Sequence, residues 1–562
     1  MELPESNLKK EQKSRENLPQ KFHVTERLSN NLSLRKKKIN EIIARQRGLE
    51  RVKNEGNKEY EIDKDKLDID KEIKNKTYED IEIFLKEMKK YIKNENKDLC
   101  KYSLYCLRVQ INDNNSSNNK SYLSEELQKR DFISDILSLF QKYLDDKQII
   151  FEGLWIFINI LYYAKDISDL CVFLSNKNCI NLYLKILDKQ DNCLRFHIYW
   201  LISNILCIDK VSVIQEVLFH LYMSPFFRLY LFKDLEDNNS KMTENEYINI
   251  FNILSQLSSF INDTFICLST NNIQQFINYN SDVDFNAIQE NNNYLFYHSI
   301  KQFIDKITIP KLTFNCIYGL SKLTNYLQDI TAYNEFFKSG ICRKLVKQQI
   351  QYDEDCLTFV VQIIGNFLSS TDDKFLDIIF LEEILDFFVK LLKNYPERQL
   401  LKRDIFWSVS NISSGSKLFC EKIAKSGLLA LVLQSLYTDN DNTINEALYI
   451  LLGFFDRQNI EIIVQYHHLD YIKNLILCLK NIKSRTKPGE NYINMEVIER
   501  IFICIGYLFE NGETLKINVE NKFVNDFDKN GGFELVENML SENTLSDNVQ
   551  NIAENLLAYR YK

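Results

Sequence analysis

Each of the three tryptophans in this 562-residue sequence stands four positions ahead of an asparagine: Trp155/Asn159 in LWIFIN, Trp200/Asn204 in YWLISN and Trp407/Asn411 in FWSVSN. On a helix that spacing puts both side chains on one face. An asparagine amide offers a donor and an acceptor, so a row of them can pair with the backbone of an extended peptide whatever its side chains. Tryptophans from successive units make parallel walls, and the slots between them accept long aliphatic stems. Acidic groups at the rim hold the ammonium or guanidinium at each stem's end, with a cation–π contribution from the indole. The chemistry is recognition of an extended Lys/Arg-rich strand. One such pair on an apolar helix is ordinarily a core residue beside a capping amide, but three copies that use every tryptophan argue for a repeated surface.

The elements that must carry this face recur. The clearest copy is EKIAKSGLLALVLQSLYTDNDNTINEALYILLGFF, in which Ser426-Gly427 breaks one helix and the next begins at once. Gly suits the left-handed cap that such a break needs. FKSGICRKLVKQQIQYDEDCLTFVVQIIGNF repeats the plan, with Gly340 standing 87 residues before Gly427. With the asparagine position as a ruler, the units fall at Asn159, Asn204, Gln256, Lys322, Asn366, Asn411 and Gly453, mostly 42 to 45 residues apart. That is the length of an armadillo or HEAT repeat. The two long steps contain LEDNNSKMTENE and NYNSDVDFNAIQENNNY, which read as surface insertions. With only 14 Gly and 6 Pro, the chain has few of the turns that many short strands need. The expected fold is all-α: a right-handed superhelical α-solenoid of about ten armadillo repeats.

Charge divides the chain. Residues 1–60 carry a net +6 and the remainder −14. Residues 1–75 lack a sustained apolar pattern apart from a candidate helix near 34–53, and are expected to form a flexible basic arm with its core at 26–55; the repeat domain takes residues 76–562. Nine Lys/Arg stand against two Glu between Arg27 and Lys53. A solvated tail or a nucleic-acid patch is the plain reading of such a run. The acidic body speaks against nucleic acid as a partner, and helical spacing of Arg45, Leu49 and Arg51 favours a helix that docks on a protein. The 13 cysteines lie scattered in apolar helical patterns with no CxxC, so they read as reduced core residues. No metal, cofactor or catalytic motif is present, and pairs such as Glu382-Glu383 read as ordinary surface acids. The polar start is no secretory signal and no apolar run reaches bilayer length, so the expectation is a soluble intracellular protein without membrane insertion.

SVSNISSG at 408–415 resembles the signature of the importin alpha (karyopherin alpha) family, FEGLWIFIN at 151–159 resembles the start of that family's second repeat, and the tail VENKFVNDFDKNGGFELVENMLSENTLSDNVQNIAENLLAYRY resembles its last. ERLSNNLSLRKKKINEIIARQRGLERVK is similar to its importin-beta-binding segment. The resemblance implies a larger signal-binding site at Trp155, Asn159, Trp200, Asn204, Asp209 and Gln256. It implies a smaller one at Asn366, Trp407, Asn411, Glu446 and Tyr449. The arm residues implied are Arg27, Arg35, Lys36, Lys37, Lys38, Arg45, Arg47, Arg51 and Lys53. Asp209 lies one residue beyond the family's position. In the fourth repeat the Trp/Asn positions are Asn252 and Gln256, in the eighth Tyr449 and Gly453, and each site thereby loses part of its ladder. The implied partners are importin beta, cargo with basic nuclear localisation signals and a nuclear export receptor for recycling. The implied location is the cytoplasm and nucleus, with shuttling through nuclear pores. The tethered arm can also compete with cargo, at an effective concentration up to about millimolar, although RVK stands where the family has a Lys-Arg-Arg cluster.

The expected function is therefore nuclear import adaptor, with no enzymatic activity and no cofactor. An armadillo scaffold that does not recognise import signals is the rival. An enzyme hidden in the insertions at 233–247 or 273–310 is opposed by their lack of clustered His, Cys or convergent acids.

Overall fold

The computed structural model describes residues 62–75, 80–112, 123–128, 131–163, 168–189, 191–206, 217–222, 231–232, 235, 247–258, 285–324, 336, 338–370, 378–413, 415–456, 459–485, 495–515 and 520–561. The nine arm residues and Asp209 lie outside them. Two compact units divide the chain, Met1–Gln302 and Phe303–Lys562. Among the described residues both are built of helices and their connections, without strands.

One helix of each repeat carries the Trp/Asn ruler, and these ladder helices are labelled in order. In the first unit they are α1 (Lys97–Asn112), α2 (Lys147–Tyr163), α3 (Asn192–Ile205) and α4 (residues 247–258). In the second they are α5 (Thr313–Leu323), α6 (Leu357–Ser370), α7 (Gln399–Ser413), α8 (Asp441–Phe454), α9 (Met495–Thr514) and α10 (Asp547–Leu557). Within each unit successive ladder helices pack side by side, from α1 to α3 and from α5 to α10. A second layer runs behind them. In the first unit it comprises Ile81–Ile92, Phe132–Lys142 and Lys177–Asp188; in the second, Ile341–Val346, Ile378–Asn394, Leu428–Thr438, Tyr471–Arg485 and Lys522–Lys529, each packed on the next. Each unit is thus an all-α solenoid.

The core lies between the layers. Phe140 meets Phe157 of α2 with ring centroids 5.7 Å apart, and Phe509, Phe527 and Phe533 interlock in the second unit. Burying a side chain of this size contributes about 1.5–3 kcal/mol. The expected left-handed breaks stand at Gly340 and Gly427, with φ of 64° and 80°. Asp131 and Asp470 take the same backbone position before Phe132–Lys142 and Tyr471–Arg485. Aspartate tolerates that conformation where other L-residues are strained, so the repeat boundary is not a glycine signal alone.

Residues 62–75 pack on the repeats, ahead of the domain boundary placed near 75. Ile62 and Leu67 are buried. The Ile62 N–H donates to Glu152 Oε1 of α2 (3.3 Å), the Asp68 N–H to Asp98 Oδ2 of α1 (2.7 Å), and the Tyr102 hydroxyl to the Ile73 carbonyl (2.8 Å). Two buried apolar side chains and satisfied backbone groups anchor a segment whose composition reads as polar.

Candidate peptide-binding surfaces on the ladder helices

Asp191 caps α3, its carboxylate accepting the Leu194 N–H (3.1 Å), and this fixes the helix that carries Trp200 and Asn204. One turn ahead of each tryptophan position a further row runs along the ladder: Glu152, His197, Asn249, Asn315, Phe359, Asp404 and Glu446. The spacing that singled out Glu446 also picks out Glu152 and Asp404, which lie three residues before Trp155 and Trp407; sequence reasoning passed over both.

In the first unit the aromatic walls meet. Trp155 and Trp200 are edge-to-face with centroids 5.3 Å apart, and His197 packs on both, with Phe196 and Phe151 completing the cluster. Two rings flanking an aliphatic stem need about 7–8 Å between them, twice a carbon–carbon contact. The slot expected between parallel walls is therefore closed by ring–ring packing, the arrangement that the ring quadrupole favours. Trp200 is fully buried. His197 Nδ1 lies 2.7 Å from the Cys193 carbonyl, the geometry of an N–H donor, and burial pulls the imidazole down to about 4 despite that bond and the nearby Asp191.

The amides of this unit are buried and incompletely paired. Among the described residues, Asn159 Nδ2, Asn204 Oδ1, Gln256 Nε2 and the Trp200 indole Nε1 meet no hydrogen-bond partner, although all four side chains are more than nine-tenths buried. Each such group costs about 1–3 kcal/mol. Asn252, at the tryptophan position of α4, donates to Ser203 Oγ of α3 (2.6 Å). Glu152, fully buried, is paired with Arg108 of α1 besides receiving the Ile62 N–H.

The second unit is arranged differently. Trp407, half-buried, lies on Gly365 of α6, where a Cβ would come within 2.3 Å of the indole. The Asn411 amide donates to the Gly365 carbonyl (3.3 Å), and the Asn366 amide to Thr324 Oγ1 (3.1 Å). Asp404 accepts from Gln362 Nε2 of α6 (2.8 Å) and lies 3.4 Å from Arg403 Nη2. Glu446 and Tyr449 are half-buried on α8. Gly453 packs on the backbone of Ser413, so the missing asparagine there reflects a close helix approach. Lys322 stands at the asparagine position of α5 with its ammonium 5.3 Å from the Tyr318 ring. The structure brings together Trp155 with Trp200 in one unit, and Trp407 and Asn411 with the backbone beside Asn366 in the other.

No family model matches the chain, and no curated protein matches it. Among solved structures, an engineered protein from a structural genomics programme aligns over 85% of this chain and 99% of its own, with 14% identity and a TM-score of 0.57. A structure described as showing a phosphorylation switch that controls the interaction between cadherin and beta-catenin aligns over 86% of this chain and 92% of its own, at 10% identity and a TM-score of 0.54. A designed armadillo repeat protein in complex with the peptide (KR)4 aligns over 46% of this chain and 98% of its own, at 17% identity and a TM-score of 0.35. The chain has the all-α solenoid fold of armadillo-repeat proteins.

Proposed function

We propose that the protein is a nuclear import adaptor: the ladder helices bind an extended basic signal, and the arm links the complex to importin beta. The observation that carries the reading is the set of unpartnered polar atoms on α2, α3 and α4, at Asn159, Trp200, Asn204 and Gln256. These atoms are covered in the free protein, so a bound peptide meets them once the amides turn outward; its extended backbone then supplies the N–H and C=O groups that they lack, and their cost in the free protein is recovered. They coincide with the residues that the resemblance to importin alpha assigns to the larger site. The arm joins the described chain at Ile62, one hydrogen bond from Glu152 on the helix that bears Trp155. Lys53 is nine residues earlier, a reach of at most about 30 Å, which suits both presentation of the arm and competition with cargo.

The test is fluorescence anisotropy of a basic bipartite import-signal peptide on the full chain and on Asn159→Ala/Asn204→Ala. These substitutions remove unsatisfied amides, so they leave thermal stability unchanged or raised, whereas loss of two backbone pairings weakens the peptide by about tenfold or more. Tryptophan substitutions would confound binding with core damage, because Trp200 is buried.

A second reading, an armadillo scaffold without import-signal recognition, draws on the closed Trp155–Trp200 contact and on the arginine already seated against Glu152. Failure of the wild-type chain to bind the basic peptide would select it.

A further inference from the structure

The C-terminal end of the ladder holds a basic side chain of its own. Tyr449 occupies the tryptophan position of α8. Arg500 of α9 lays its guanidinium over that ring, 4.4 Å from the centroid. Its Nη2 donates to the Tyr449 hydroxyl (2.5 Å), and its Nη1 to Asn445 Oδ1 (2.8 Å) and Glu496 Oε2 (3.2 Å). The Arg500 side chain is only 17% exposed. Aromatic face, amide oxygen and carboxylate are the three features that a groove offers to a peptide's lysine or arginine, and here one residue of the chain takes all three.

We infer that Arg500 is a built-in specificity residue that closes the Tyr449 position to basic side chains. A second cation brought there meets Arg500 itself, and like charges at close range exclude a ligand as effectively as missing contacts do. The planar fork is held by three hydrogen-bond acceptors as well as the ring face, so it is not a mobile tail that an incoming lysine displaces without loss. The second unit then reads a basic cluster at Trp407 and Asn411 alone, and does so weakly. This deepens the adaptor reading and rests on it: cargo with a single basic cluster, bound in the first unit, is favoured over cargo with two.

The experiment is isothermal titration of the full chain with a short Lys/Arg-rich peptide, comparing wild type, Arg500→Met, Arg500→Lys, and Arg500→Met with Trp407→Ala. Wild type is expected to take one peptide. Arg500→Met is expected to gain a second binding event, about tenfold tighter than any second event of wild type, and the added Trp407→Ala to abolish it. Arg500→Lys keeps the charge and stays closed. Should Arg500→Met fold poorly, Asn445→Ala/Glu496→Ala loosens the guanidinium from the half-exposed surface and is expected to give a smaller gain. One peptide bound by every variant overturns the inference and leaves the adaptor reading standing. No peptide bound by any variant overturns both.

Discussion

Gly453 of α8, in ALYILLGF, faces the preceding ladder helix and Gly506 of α9, in RIFICIGY, faces the following one, and alanine at the two positions should act with opposite sign. A Cβ on Gly453 would lie 2.7 Å from the carbonyl carbon, carbonyl oxygen and Oγ of Ser413. Two of these are backbone atoms of α7 and cannot rotate away, so α7 and α8 must separate by several tenths of an ångström. Overpacking of this kind costs about 1–3 kcal/mol, and the better helix propensity of alanine returns about 1, leaving a net loss of up to about 2 kcal/mol. On Gly506 the nearest atom is Leu556 Cδ2 at 3.8 Å, an ordinary contact. There the propensity gain stands alone, and Gly506→Ala should stabilise by about 0.5–1 kcal/mol. Repeat arrays open unit by unit, so the assay is native-state hydrogen exchange of the amides in α7, α8 and α9. Gly453→Ala should lower protection in α7 and α8 by up to about thirtyfold, and Gly506→Ala should raise it in α9. Equal effects from the two substitutions would refute the close-approach account. Gly453→Asn, which restores the ladder residue in sequence, should lose more stability than alanine and gain no affinity for a basic peptide.

His197 gives a pH dependence. Its unfolded value is near 6.5 and its folded value about 4, so the unfolded state binds more protons between them and stability falls with acidification through that window. At pH 5 the loss is about 2 kcal/mol relative to pH 7.5; urea midpoints across this range should show it, and His197→Phe should flatten the slope. Glu152→Ala leaves Arg108, 13% exposed, without its carboxylate and frees the Ile62 N–H. Breaking a buried pair costs about 3–5 kcal/mol, so limited proteolysis should cut within 62–75 in the variant and spare wild type; unchanged cleavage would show that the segment is held by its apolar contacts alone.

The ladder was legible in the sequence because its period is set by helix geometry. Trp, Asn and the breaks at Gly340 and Gly427 keep their spacing wherever one helix must stack on the next, and the structure places those two glycines at positive φ as read. What was not legible depends on neighbours about 45 residues away. Nothing in YWLISN says that Trp200 will be met by Trp155 rather than stand apart from it. Gly453 looks like a lost asparagine until the Ser413 backbone is beside it, and Arg500 looks like a surface cation until Tyr449 lies beneath it. The packed segment at 62–75 was hidden for the same reason. Ile62 and Leu67 are too few to make a periodic pattern, and their burial is supplied by helices that follow in the chain.

If the adaptor proposal holds, the same inter-repeat pairing should make the two units bind a peptide differently. In the second unit the Asn366 and Asn411 amides already donate to the preceding repeat, so a peptide there exchanges one hydrogen bond for another. In the first, Asn159 Nδ2, Asn204 Oδ1 and Gln256 Nε2 meet no partner among the described residues, so a peptide that reaches these atoms adds bonds to them. A net hydrogen bond contributes about 0.5–1.5 kcal/mol, and satisfying a buried orphan recovers about 1–3. Alanine at Asn159 should consequently cost a bound basic peptide several times more affinity than alanine at Asn411. Paired anisotropy titrations of the two single variants measure the ratio, and an equal loss would mean that Asn411 releases Gly365 without penalty when a peptide arrives.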